Sequence, residues 1–193
     1  MVTCRMLRCA TILFAIAFLH APAFAQAPTP PPAQEPAQNP EQFGEEVTLT
    51  GKPMVFIAGK ANWDKAWPTL TGNFKTISAF LAKQKMAPAG AVMTIYLTVK
   101  DTGFEYQAAV PLAAAPAKLP RGIVTAGQSP VGKAIKFVHR GSYESMEMLY
   151  EAINNYLDGK GIEKQGLFYE EYVTDPLTTP EDKLVVNVYV MVK

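Results

Sequence analysis

The chain has 193 residues, of which 18% are charged and 49% hydrophobic, and its formal net charge is +1. A near-neutral chain without basic clusters lacks the electrostatic pattern of a nucleic-acid-binding or membrane-surface protein. Its two cysteines, Cys4 and Cys9, precede every segment that could belong to a folded core. We therefore expect no disulfide and no cysteine metal site in the folded domain.

Residues 1–25 have the pattern of a cleaved secretory signal. Arg5 and Arg8 precede an apolar run that is shorter than the roughly 20 residues needed to span a bilayer, and Ala23-Phe24-Ala25 forms a small–any–small cleavage site. Cleavage there makes Gln26 the new N-terminus and, with the loss of two arginines, changes the formal charge from +1 to −1. We expect a periplasmic or secreted protein with no membrane span after cleavage. An uncleaved membrane anchor is the alternative.

Residues 26–43 form a linker rich in proline and alanine, with six prolines. Such a composition provides no core and stiffens the chain into a spacer. Residues 44–193 have the length of one ordinary domain, which we expect to be a monomer.

The first half of this domain contains strand and helix patterns in alternation. Residues 91–100 alternate between apolar and polar with a period of two, which indicates a strand. Phe74, Ile77 and Leu81 fall on one face of a helix. In chain order we predict a strand at 47–57 interrupted at 51–53, a helix around 74–81, a strand at 91–100 and its hairpin partner at 104–110.

The second half repeats this order. We predict a strand at 134–138, an amphipathic helix over 146–157 ended by Gly159 and Gly161, and strands at 167–173 and 184–192. The halves superpose at a shift of 76 positions, which aligns Tyr96-Leu97-Thr98 with Tyr172-Val173-Thr174. This predicts an α+β fold made of a duplicated strand–helix–strand–strand unit, with repeats at about 47–112 and 133–193. Chance similarity between two α+β segments is the alternative.

Two such units joined edge to edge form an antiparallel sheet with helices on one face and a groove at the pseudo-two-fold axis. We take Met93 and Ile95, the apolar side of their strand, to face the helices. Thr94 and Tyr96 then point to the open face, where we expect the groove.

Four segments of the second half have a familiar pattern. They are Phe-Val-His-Arg-Gly-Ser-Tyr at 137–143, Gly166, Tyr-Val-Thr-Asp-Pro at 172–176 and Thr-Pro-Glu-Asp-Lys-Leu at 179–184. With them the chain resembles the GyrI-like small-molecule-binding family, which includes the effector-binding domains of multidrug-responsive transcription regulators. The resemblance covers roughly residues 42–193. The family usually has Gly-Pro-Tyr where this chain has Gly-Ser-Tyr at 141–143, a departure that affects a turn. No helix-turn-helix pattern accompanies the domain, so we do not expect a DNA-binding regulator.

The resemblance implies a ligand cleft at the pseudo-dyad, in which a strand glutamate meets lipophilic cations. Two glutamates, Glu170 and Glu171, occupy the corresponding strand. The repeat maps Thr94 onto Glu170 and Tyr96 onto Tyr172, so we expect Glu170 and Tyr172 to share the groove face. If the register is shifted by one residue, Glu171 lines the groove instead, and a solvated Glu170 is a further alternative.

Aromatic side chains suit such a cleft because each ring face attracts a desolvated cation by about 0.5–2 kcal/mol. The residues that we expect around the ligand are Tyr96, Phe137, Tyr143 and Tyr172, with Trp63 as a roof. Trp67, from the same loop as Trp63, could also contribute to the roof. For Trp67 and Tyr143, packing in the core or at a helix cap is the alternative.

These features predict an exported small-molecule-binding module for planar, hydrophobic ligands, cations among them. One alternative is a hydrolase of strained electrophiles that uses Glu170 as its base. Another is a protein-interaction domain of the cell envelope. We expect no cofactor and no metal, because His139 is the only histidine after the signal and cannot build a multi-histidine site alone.

Overall fold

The computed structural model describes residues 43–118 and 122–193. The predicted signal and residues 26–42 of the predicted linker lie outside these residues and remain predictions. The described domain begins at Phe43, whose ring lies 5.0 Å from that of Phe137. Among the described residues, no helix is long and apolar enough to cross a bilayer.

The described residues form one eight-stranded antiparallel sheet and two α-helices. The strands are β1 (Glu45–Leu49), β2 (Pro53–Asn62), β3 (Met93–Lys100), β4 (Gly103–Pro111), β5 (Thr125–Gln128), β6 (Gly132–Arg140), β7 (Lys164–Tyr172) and β8 (Val185–Val192). The helices are α1 (Ala66–Gln84) and α2 (Met146–Lys160). The strand order is β1-β6-β8-β7-β3-β4-β2-β5. The predicted duplicated α+β fold is confirmed, because β2-α1-β3-β4 and β6-α2-β7-β8 occupy equivalent positions and meet at β3 and β7.

The pseudo-two-fold axis passes through the central strand pair, β3 and β7. Thr94 pairs with Glu170 there, and these residues are separated by the same 76 positions at which the sequence halves superpose. The flanking pairs exchange under the same shift. Thr94 and Glu170 are therefore equivalent in the two halves, as are Tyr96 and Tyr172.

The sheet is strongly curved. Six strand spacings separate β1 from β2 in the strand order, which is about 29 Å in a flat sheet. Residues 50–52, which link the two strands, span at most about 14 Å. Leu49 pairs with Gly132 and Pro53 pairs with Gln128 in one common register. The backbone of Ser129 donates to the Lys52 carbonyl at 2.9 Å and keeps this ladder continuous across the interruption.

Both helices pack on one face of the sheet. Their buried residues are Ala66, Leu70, Phe74, Ile77 and Leu81 of α1 and Met146, Ile153 and Leu157 of α2. They form one cluster with Tyr96 and Tyr172, which are each 1% exposed. α2 ends where Gly161 adopts a left-handed conformation with φ of 64°, as predicted, whereas Gly159 lies inside the helix.

The predicted assignment of the two sheet faces is reversed. Met93 and Ile95 lie on the face without helices, in a second buried cluster with Tyr169. Leu49 of β1 and Phe56 of β2 pack against this cluster. Because the curved sheet folds its helix-free face onto itself, the central strands are apolar on both faces. Alternation alone therefore could not show which face carries the helices.

Candidate functional site

A cavity of about 910 Å³ lies on the helix side of the sheet, between α2 and the central strands. Its apolar lining includes Trp63, Met146, Ile153, Phe168 and Val190. The groove was expected on the helix-free face, and this position corrects that expectation. The reversed assignment of Met93 and Ile95 explains the error.

Glu170 is the buried acid of this cavity and is 1% exposed. Its Oε1 accepts a hydrogen bond from the Tyr150 hydroxyl at 2.5 Å, and its Oε2 accepts one from the Tyr172 hydroxyl at 2.6 Å. Burial raises the pKa of the Glu170 carboxyl, and the nearby Tyr150, Tyr172 and Tyr96 hydroxyls partly oppose that rise. The site therefore holds a carboxyl group whose charged form lacks a cationic partner among the described residues.

The local structure explains how three side chains converge there. Glu170 and Tyr172 are two positions apart on β7, so both point to the helix side. Tyr150 lies four residues after Met146 on α2 and shares its inward face. Burial, followed by the charge of Glu170, raises the phenol pKa of Tyr150 and Tyr172. Both phenols therefore remain protonated and donate to the carboxylate.

An aromatic wall continues from this carboxylate across β3. Tyr96 stacks on Phe168 with 4.5 Å between ring centroids and 13° between ring planes. The Tyr96 and Tyr143 hydroxyls lie 3.2 Å apart. The ring centroids of Trp63 and Tyr96 lie 6.5 Å apart, and the Trp63 indole N–H donates to the Lys100 carbonyl at 3.0 Å. These contacts orient four rings around one cavity.

The structure brings together most of the expected site residues. Glu170, Tyr96, Tyr143 and Trp63 line the cavity. Tyr172 is outside that lining and positions Glu170 through the hydrogen bond from its hydroxyl.

Two aromatic residues weighed at the sequence level are placed in packing contacts. Phe137 lies outside the cavity, with its ring 5.5 Å from Tyr156 and close to Phe43. Trp67 stacks on Tyr143 with 4.9 Å between centroids, so it packs behind the wall.

Sequence reasoning missed Tyr150 and Phe168. The helix was identified from its apolar residues, and Tyr150 occupies one of its inward positions. A tyrosine at such a position is normally interpreted as a core residue. The repeat contained the signal, because the 76-residue shift aligns Tyr150 with Phe74. A hydroxyl thus replaces a hydrogen at a buried position, in the half that also carries Glu170.

Glu171 lies on the opposite face of β7. Its Oε2 accepts hydrogen bonds from Asn187 at 3.1 Å and from the Tyr189 hydroxyl at 3.0 Å. The Glu171 carboxylate is therefore half-buried and hydrogen-bonded on this face. Glu171 does not reach the cavity.

His139 is held in a structural contact. It is 6% exposed, and its Nε2 lies 2.9 Å from the Ser142 carbonyl oxygen. A carbonyl only accepts, so Nε2 carries the proton in this bond. Nε2 is then unable to act as a base toward the Ser145 hydroxyl, which lies 3.4 Å away.

The curved sheet, its two helices and the aromatic-lined cavity define a small-molecule-binding domain of the α+β class. The family model of the GyrI-like small molecule binding domain matches residues 45–193. The chain belongs to this family.

Solved structures share the fold at low sequence identity. The EcmrR–DNA complex superposes with a TM-score of 0.66 at 11% identity, covering 78% of this chain and 57% of that chain. This chain thus spans little more than half the length of that relative. SAV2435 bound to tetraphenylphosphonium superposes with a TM-score of 0.56 at 14% identity, covering 79% of this chain and 94% of that chain. A hydrolase from Listeria innocua superposes with a TM-score of 0.52 at 11% identity, covering 78% of this chain and 92% of that chain. No curated protein sequence matches the chain significantly.

Proposed function

We propose that this domain binds planar, hydrophobic organic cations in the cavity beside α2. The observation that supports this proposal is the buried Glu170 carboxyl, surrounded by phenol donors and aromatic rings. A charged carboxylate is costly to bury without a cation. A ligand cation that enters the cavity offsets this cost, and each ring face adds about 0.5–2 kcal/mol of attraction.

The structural likeness to SAV2435 supports a hydrophobic cation as the ligand, because that protein was solved with tetraphenylphosphonium, a lipophilic cation. The buried position of Glu170 in this chain offers the matching charge. Its raised pKa means that the empty cavity disfavours the charged carboxylate, so a cation and the charged carboxylate stabilise each other.

The proposal includes action outside the cytoplasm, without a DNA-binding role. It is supported by the signal pattern of residues 1–25 and by the near-neutral charge. Mass spectrometry of the protein from a periplasmic fraction should find Gln26 at the N-terminus. A chain that still carries its first residues would contradict cleavage at this site.

Binding is tested with two ligands of one shape, N-methylacridinium and the neutral 9-methylanthracene, by fluorescence titration. Glu170→Gln keeps the side-chain shape and removes the charge. It should weaken acridinium binding by about 1–3 kcal/mol, roughly five- to 150-fold, because a charge-assisted contact is lost. Binding of the neutral ligand should hardly change.

Glu171→Gln is the matched control, since this neighbour points to the other face of the sheet. It should leave acridinium binding unaltered. Equal binding of both ligands to the wild type, or an equal loss in both variants, would refute a cation site at Glu170.

A hydrolase is the second candidate, and two observations favour it. A fold neighbour is a hydrolase, and a buried carboxylate with a raised pKa suits a general base. In an epoxide, water would attack carbon and break the C–O bond. Glu170 would take the proton from water, and a phenol of the site would protonate the leaving oxygen. Chromatography of styrene oxide with wild type and Glu170→Gln tests this, and equal diol formation by both would exclude it.

A further inference from the structure

Three more carboxylates line the cavity described above. They are Asp101 in the turn between β3 and β4, Glu144 in the short 3-10 helix that precedes α2, and Glu147 in the first turn of α2, and all three are exposed. We call these three residues the acidic mouth. None of them forms an ion pair within residues 43–118 and 122–193. The one basic residue of the lining, Lys164, donates to Asn154 Oδ1 at 2.9 Å.

The acidic mouth and the buried Glu170 carboxyl line the same cavity. Glu147 precedes Tyr150 by one helical turn, and the Tyr150 side chain reaches inward to Glu170. One turn plus the length of a tyrosine side chain places these carboxylates on the order of 10 Å apart, which is close to the length of a biphenyl. The rings of Trp63 and Phe168 line the cavity beside this path.

We propose that the preferred ligands are elongated aromatic dications, with one charge at Glu170 and the other at the acidic mouth. This inference depends on the proposed cation site at Glu170. The aromatic body occupies the apolar middle of the cavity, and the outer charge stays in water-accessible surroundings. The second charge therefore avoids the desolvation that the first one undergoes, and it gains attraction from three carboxylates.

The expected gain is moderate because the mouth is exposed. One exposed ion pair changes affinity by about 1.4- to fivefold, so three carboxylates together should contribute on the order of tenfold. In about 0.15 M salt, attraction between exposed charges is largely screened beyond roughly 8 Å. Titrations under these conditions therefore report contacts at the acidic mouth and exclude long-range electrostatic attraction.

Two biphenyls of one shape provide the test. The first carries a trimethylammonium group at each end, and the second carries trimethylammonium at one end and tert-butyl at the other. Calorimetry should show the dication binding the wild type roughly tenfold more tightly than the monocation. The triple variant Asp101→Asn/Glu144→Gln/Glu147→Gln should remove that difference and leave the monocation within about threefold.

Glu151→Gln is the matched control, because Glu151 is exposed on the same helix one turn after Glu147 and does not line the cavity. It should change dication binding by less than about twofold. If the dication binds no more tightly than the monocation, or if the control and the triple variant lose equally, the dication inference is overturned while the Glu170 site stands. If neither the monocation nor N-methylacridinium binds, the proposed function itself fails.

Discussion

Tyr150 carries the sharpest prediction about stability, because its hydroxyl is one of two donors to the buried Glu170 carboxyl. Tyr150→Phe removes that hydroxyl and keeps the ring that packs against Phe168 at 5.4 Å. A hydrogen bond to a charged group contributes about 1.5–3 kcal/mol, and one to a neutral group about 0.5–1.5 kcal/mol. The cost of the substitution should therefore depend on the protonation of Glu170.

The direction of the pH effect follows from the raised pKa of Glu170, whose ordinary value is 4.5. The folded protein keeps this proton to higher pH than the unfolded chain. The stability that this proton contributes is complete below pH 4.5 and is lost as the pH rises through the raised pKa. Loss of a donor raises the pKa further in the variant. The deficit relative to wild type should therefore be small at pH 4, grow with pH and level off near 1.5–3 kcal/mol.

Urea denaturation of both proteins across pH 4–8 measures this deficit. Tyr156→Phe is the control, because the Tyr156 hydroxyl lies on the same helix and donates to the neutral Gly44 carbonyl at 3.2 Å. Its cost should be about 0.5–1.5 kcal/mol and independent of pH. A Tyr150→Phe deficit that stays constant with pH, or never exceeds that of the control, would refute a charged carboxylate at this bond.

Three further predictions concern the same domain. Glu170→Gln should match or exceed wild-type stability at pH 7, because a buried charge is removed, and urea melts should show the difference vanishing below pH 4.5. Gly103→Ala should lower the unfolding free energy by at least about 1–3 kcal/mol in thermal melts, because its Cβ would lie 2.2 Å from the Ala61 carbonyl oxygen. The mature chain should be a monomer that unfolds in one transition, so melts followed by fluorescence and circular dichroism should coincide. Separate transitions for the two halves would contradict this.

The repeat predicted more of the structure than any single element did. The shift of 76 positions pairs Thr94 with Glu170, and the sheet places these two residues opposite each other on its axis. The same register predicted that Glu170 and Tyr172 share a face, which their hydrogen bond confirms. The short strand β5 was missed, because Thr-Ala-Gly-Gln has no alternation and pairs only at the sheet edge.

The choice of face depended on information that local pattern does not contain. A half-buried strand in a flat sheet has one apolar side, and that side meets the helices. Here Met93 and Ile95 are apolar because the sheet curves over them. The curvature arises from the ladder between β1–β2 and β5–β6, whose partners are about 80 residues apart in sequence. Apolar periodicity is judged within windows of about 11–18 residues, so it contains no information about a contact of that range.

The duplication itself offers a way to find such a site from sequence. Each half of a symmetric frame serves as a control for the other, so a core position that is apolar in one half and polar in the other requires a reason. On the inward face this comparison selects Phe74 against Tyr150. It also pairs the uncharged Thr94 with the carboxyl group of Glu170. In one half, Phe74 packs edge-on against Tyr172 at 5.5 Å. In the other half the equivalent tyrosine binds the carboxylate, and the cavity opens beside it. Polarity that breaks the repeat therefore identifies the half that carries the proposed ligand site.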